Sequence, residues 1–123
     1  RDVPVIGFSW RPGFDYDPSD GDRELGRRPG TIVLQVAPGG PAEASGLQSY
    51  VERPVYGDDG SVIDVERVAD VIVAIDGEAT PTFYDLLETV RRKRIGETVS
   101  LTVQRGRTTI RLDLELGAKR QVF

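Results

Sequence analysis

The run DVIVAIDGEATPTFYDLLETVRRKRIG, residues 70–96, contains a strand, a turn and a helix in succession. Asp70 to Ile75 is a short block of β-branched and aliphatic residues, the composition of a buried strand. Asp76-Gly77 supplies the turn after it. Pro81 stops the extended chain, and Thr82 is placed as an N-cap with Asp85 three residues on, a variant of the capping box. Phe83, Leu86, Leu87 and Val90 then fall at i, i+3, i+4 and i+7, which gives the helix one apolar face. Arg91, Arg92, Lys93 and Arg94 crowd its last turn, where cations suit the helix dipole, and Ile95-Gly96 ends it.

Downstream, Thr98 to Gln104 and Thr109 to Leu116 alternate apolar and polar residues around Arg105-Gly106-Arg107, the pattern of a hairpin with one buried face. Upstream, Thr31 to Val36 reads as a buried strand. Pro38-Gly39-Gly40-Pro41 is a turn, and Pro41 opens a one-turn helix over Ala42, Glu43, Ala44 and Ser45 that Gly46 closes in the left-handed conformation. Residues 48–69 are weakly patterned. Asp58-Asp59-Gly60 marks a turn between two extended segments, Val51–Tyr56 and Ser61–Val65, so a small exposed hairpin is expected. Val3 to Trp10 is a short apolar stretch with one glycine. Residues 11–30 are dense in proline and glycine and read as a long loop with a helical turn near Leu25. Residues 117–123 read as a C-terminal tail. The order predicts one α+β domain over residues 1–123: a small, mostly antiparallel β-sandwich or partly open barrel with one long and one short helix.

Composition narrows the function. The chain has 123 residues and neither cysteine nor histidine, so a disulfide framework and thiolate or imidazole metal sites are excluded, as is a histidine general base. The serines have no histidine to activate them, and no catalytic residue is assigned. Sixteen basic against 20 acidic residues give a net charge of −4, a poor match for nucleic acid. No apolar run approaches the length of a membrane span, and no signal peptide is visible. The chain opens at Arg1 and contains no methionine, so it is expected to be cut from a longer protein. Asp15-x-Asp17-x-Ser19 has the acid spacing of a calcium loop, but Asp20 and Gly26 stand where such a loop needs glycine and glutamate. No metal or cofactor is expected.

Several of these segments together resemble one family, the PDZ domains. Val5-Ile6-Gly7-Phe8 resembles the family's carboxylate-binding loop. Gly30 to Val33 through Pro38-Gly39-Gly40-Pro41-Ala42 and Ala44-Ser45-Gly46-Leu47 resembles its second strand and short helix. Asp70 to Gly77 is similar to its "GDVI…ING" strand and turn, with Ala69 where the first glycine usually stands, and Gly96 to Gly106 is similar to its closing hairpin; against the family pattern residues 48–69 are an insertion. The order, with the hairpin last, is similar to the PDZ domains of HtrA/DegP-like serine proteases.

The resemblance implies a site. The backbone N–H groups of Val5, Ile6, Gly7 and Phe8 would hold the terminal carboxylate of another polypeptide. Its tail would add as a strand along Phe8, Ser9 and Trp10. Ile6, Phe8, Phe83, Leu87 and Val90 would line a pocket for an apolar last side chain, with Leu86 pointing into the core. Phe83 stands where many PDZ domains place a histidine, so preference for Ser or Thr two residues upstream is not expected. Partners would be C-terminal peptide tails and the protease domain of a parent chain in the bacterial envelope, in or near the periplasm. The alternative is a PDZ-like interaction domain of another envelope protein, such as a site-two metalloprotease, a tail-specific protease or a secretion component, and a β-rich structural domain without a groove is a third, weaker reading.

Overall fold

The computed structural model describes residues 4–12 and 29–118, and the backbone alone at residues 9–12 and 67. In chain order its elements are β1 (Pro4–Val5), β2 (Phe8–Pro12), β3 (Thr31–Val36), α1 (Pro41–Ser45), β4 (Val51–Tyr56), β5 (Val62–Val68), β6 (Asp70–Ile75), β7 (Glu78–Ala79), α2 (Phe83–Arg91), β8 (Thr98–Arg105), β9 (Thr108–Glu115) and β10 (Gly117–Ala118). The main sheet runs β2-β3-β6-β8-β9, with the short β7 against β6. β1 pairs with β10, and β4 with β5, as separate two-stranded ladders. Every pairing is antiparallel. The sheets stay open and do not close into a barrel, and β2 is left at one edge of the larger one.

Alternation builds the core. Val99, Leu101 and Val103 of β8 turn inward and meet Val33, Ile72, Ile75, Leu114 and Leu116. The apolar stripe of α2 covers this face through Leu86 and Val90. The helix starts as its sequence requires: Thr82 Oγ1 accepts the Asp85 N–H at 3.1 Å, and the Thr82 N–H donates to Asp85 Oδ2 at 3.1 Å. It ends earlier than expected. Arg92 is the C-cap, so Lys93 and Arg94 lie past the last turn. Lys93 turns away from the helix end and donates from Nζ to Asp76 Oδ2 at 2.8 Å. On the opposite face of the sheet Ile32, Ala69 and Val71 form a second cluster with Leu34, Tyr50 and Val73.

Several strand boundaries also differ from the sequence reading. β2 continues through Arg11 and Pro12, assigned above to the loop, which pair with Ile32 and Thr31. Proline is accommodated there because it ends an edge strand, where a missing N–H costs little. Gly117 and Ala118, assigned to the tail, pair with Val5 and Pro4. The insertion forms the expected hairpin, but β5 extends to Val68, opposite Val51. The turn near Leu25 and residues 13–28 of the long loop lie outside the described residues, as does the tail beyond Ala118.

Both roots of the hairpin are tied by one ion pair. Asp70, only 1% exposed, receives Arg105 Nε and Nη2 on its two oxygens, each at 2.8 Å. The Gln48 N–H donates to the same carboxylate at 2.9 Å, and Arg105 Nη2 also donates to the Gly46 carbonyl. Chain leaving the sheet and chain returning to it are thereby held together.

Candidate functional site

The site begins with an edge. In the β2–β3 ladder Phe8 stands opposite Val36, and the Ala37 N–H donates to the Gly7 carbonyl at 3.0 Å. That arrangement makes Phe8 and Val36 a non-hydrogen-bonded pair, so the N–H and C=O of Phe8 face away from β3. A register shift between Ser9 and Trp10 then bends the strand. The backbone of Ser9 and Trp10 lies on the expected edge; their side chains are outside the described residues.

Gly7 closes one end of this edge. Its φ of 86° is the left-handed region, which a side chain would strain. Ile6 and Gly7 link β1 to β2, so the loop is anchored by β10 on one side and by β3 on the other. Among the described residues, no backbone carbonyl accepts the N–H of Ile6 or Gly7. Ile6 itself is buried in the main core.

The facing wall is α2. A cavity of about 540 Å³ lies between helix and edge, within the range of pockets that enclose small ligands. Pro4 to Phe8 line one side of it, and Phe83, Leu86, Leu87 and Val90 form its helical wall. Val5, Ile6, Gly7, Phe8, Phe83, Leu87 and Val90 are thus brought together around one space. Leu86 corrects the sequence reading in part. It is buried in the core as expected, yet its other side borders the cavity, because a helix with apolar residues at both i+3 and i+4 presents each to two neighbours. Gln35, Val36, Ala37 and Pro38 also line the cavity and were not anticipated. The only signal for them was their position at the end of a strand, and the β2–β3 register that brings them in depends on the irregularity at Ser9/Trp10.

Among the described residues the lining has no ionisable side chain, and Gln35 is its only polar one. Charges sit behind the wall. Asp76 lies at the end of β6, where its backbone N–H donates to the Ser100 carbonyl and its Oδ1 accepts the Ser100 N–H, both at 2.8 Å. The Lys93 ammonium, and then the Ser100 N–H, hold the Asp76 carboxyl below its ordinary value, and the same pair raises Lys93. Chemically, the arrangement offers an apolar trough beside the edge strand β2, with backbone N–H groups at Ile6 and Gly7 that no backbone carbonyl of the described residues accepts. Among the described residues no cluster of acids is placed to hold a metal ion.

Comparison with known proteins agrees with this geometry. A family model described as a PDZ domain matches residues 4–116. An HtrA-type protease, AlgW, solved with a decapeptide, superposes with a TM-score of 0.67 at 23% identity over 96% of this chain and 30% of that one. The HtrA3 PDZ domain bound to a phage-derived ligand, FGRWV, gives 0.65 at 21% identity, over 96% of this chain and 88% of that one. At these identities the likeness is one of fold. The chain therefore spans about a third of the length of the AlgW protease chain and most of the isolated domain. No curated protein sequence matches it.

Proposed function

The chain belongs to the PDZ domain family, and from that premise we propose that it binds the C-terminal tails of other polypeptides that end in an apolar residue. The observation that carries this reading is a cavity whose described lining is uncharged and which is bordered by the Gly7 loop and by the outward-facing edge of β2. A tail entering it adds as a strand along Phe8, Ser9 and Trp10, and main-chain bonds give affinity without regard to its sequence. Its carboxylate meets the N–H groups at Ile6, Gly7 and Phe8. Its last side chain rests among Ile6, Phe8, Leu87 and Val90, and the residue two before it meets Phe83 and Leu87. Phe83 has no hydrogen-bonding atom in its ring, so an apolar residue suits that place better than Ser or Thr.

Burial of one terminal side chain contributes about 1.5–3 kcal/mol. With the cost of ordering a flexible tail, affinity near micromolar is expected, about −8 kcal/mol. In the parent chain we assign the domain to substrate capture or regulation in an HtrA-like serine endopeptidase of the cell envelope, a reading supported by the fold of its structural neighbours. Upstream His and Asp with Gly-Asn-Ser-Gly would support that parent; His-Glu-x-x-His would replace it with a site-two metalloprotease.

Paired peptides test the groove. Free-acid and C-terminally amidated versions of one apolar tail are titrated by the fluorescence of Trp10, the single tryptophan. The free acid is expected to bind and the amide to lose at least about tenfold, as befits the loss of a charge held by backbone donors. Equal affinity for both would remove the carboxylate loop from the reading. Leu87→Glu is expected to abolish binding in a domain that still folds; retained affinity there places the ligand elsewhere.

A further inference from the structure

The wall of the groove is pinned at both ends, and the two pins differ in kind. At the start of α2 the Gly30 N–H donates to the Pro81 carbonyl at 2.8 Å. A Cβ on Gly30 would meet Val71 Cγ1 at 2.6 Å and the Ile72 carbonyl at 2.9 Å, so this pin is backbone packed on sheet with no slack. At the other end the pin is a side-chain contact. Lys93 holds Asp76 at 2.8 Å through Nζ, while its own N–H donates to the Val90 carbonyl at 3.0 Å. Asp76 in turn is bolted to β8 through the two Ser100 bonds. A continuous series of short contacts therefore runs from the sheet, through Asp76 and Lys93, to Val90 on the pocket wall.

We propose that Lys93 and Asp76 form a positioning pair that sets how closely α2 approaches β2 at the terminal-residue pocket, and thereby which tails are preferred. The proposal rests on the tail-binding reading above. Neither residue borders the cavity, so neither touches a ligand. Their pairing differs from the neighbouring contact of Arg92 with Glu78, at 3.2 Å, in which both side chains are more than half exposed. Lys93 and Asp76 are 23% and 35% exposed. Exposed pairs are expected to hold little. Release of Lys93 lets the end of α2 move outward. A small terminal side chain then loses close contact with the wall, whereas a large one still reaches it, because dispersion falls off over a fraction of an ångström.

The test uses two free-acid tails that differ only in a final Ala or Phe, titrated against the unaltered domain, Lys93→Met, Lys93→Arg and Arg92→Ala, with melting curves for each. Lys93→Met is expected to shift the Phe-to-Ala affinity ratio toward Phe by at least about threefold, the low end for coupling through an intervening residue. Lys93→Arg should restore the ratio, and Arg92→Ala should leave it unchanged. Should Lys93→Met fail to fold, Asp76→Asn serves in its place, since asparagine tolerates the φ of 50° at that position. A uniform loss for both tails would mean a structural role only and overturn the proposal. So would an equal shift from Arg92→Ala. If the unaltered domain binds neither tail, the groove reading itself fails, a separate result from an unmoved ratio.

Discussion

The β4–β5 and β8–β9 hairpins are both antiparallel ladders closed by short turns containing glycine, yet one stands out from the domain and the other is half of its core. In β8, Val99, Leu101 and Val103 alternate on one face and are buried. In β4 every residue is exposed. The cause is the placement of apolar residues. Val51 and Val55 share one face of the outer hairpin with Arg53, Asp64 and Glu66; Pro54, Tyr56, Val62 and Val65 share the other with Glu52. Neither face is uniformly apolar, so neither is suited to burial, and among the described residues six of the eight large exposed apolar side chains sit on this one hairpin. The outer hairpin is held by its turn and its root. At the turn, the Gly57 N–H donates to the Ser61 carbonyl at 2.8 Å, and Asp59 Oδ1 accepts from the Ser61 N–H and hydroxyl. Those bonds keep the Asp59 carboxyl below its ordinary value.

The comparison assigns the root to Arg105 and Asp70, and Arg105→Ala is the strongest way to break it. The change leaves a carboxylate that is 1% exposed without its partner. Removing one member of such a pair costs about 3–5 kcal/mol, and the lower end applies because Arg105 is partly open to water. Urea denaturation reads this directly. A loss below about 1 kcal/mol, the level of a surface pair, would show that packing at Tyr50 and Ala69 suffices to hold the root. Tail affinity, corrected for the folded fraction, is expected to stay constant, since no bond of the pair reaches the groove.

Gly7→Ala reverses that balance between stability and binding. The left-handed φ makes a cost of about 1–2 kcal/mol expected in folding. Relief of this strain rotates the peptide groups of the loop, and on the tail-binding reading binding should therefore suffer more than stability. Calorimetry of the free-acid tail against the variant checks the order of the two effects. Unchanged affinity in a destabilised domain would separate the loop from the ligand.

Much of this was legible in the sequence because local chemistry and burial agree there. Thr82 and Asp85 cap α2, Gly46 ends α1 in the left-handed conformation, and the alternation in β8 predicts its buried face. The apolar stripe that carries Phe83, Leu87 and Val90 followed from period, and the family resemblance assigned those three to the groove. The opposite side of the groove did not. Val36, Ala37 and Pro38 enter through the register of β2 on β3, a relation between segments far apart in the chain that no local pattern encodes. The pairing of Gly117 and Ala118 with β1 was hidden for the same reason: two residues of small side chain leave no periodic trace. Lys93 was read as a charge for the helix dipole. Its real contact lies 17 residues upstream and depends on how α2 crosses the turn after β6.

The gentlest test removes the outer hairpin altogether. Val51 and Val68 stand opposite each other, so residues 52–67 can be replaced by Asn-Gly, a two-residue turn that suits paired strands. An isolated two-stranded ladder is marginal in water, and no residue of β4 is buried. Loss of the ladder should therefore change the free energy of unfolding by no more than about 1 kcal/mol. The root is spared, because Gln48, Tyr50 and Asp70 remain. Tail affinity is expected to stay within about twofold of the unaltered domain, the scatter of a change distant from the site. A tenfold loss would mean that the hairpin reaches the groove or holds α2 in place, and the two ladders would then differ in exposure but not in what depends on them.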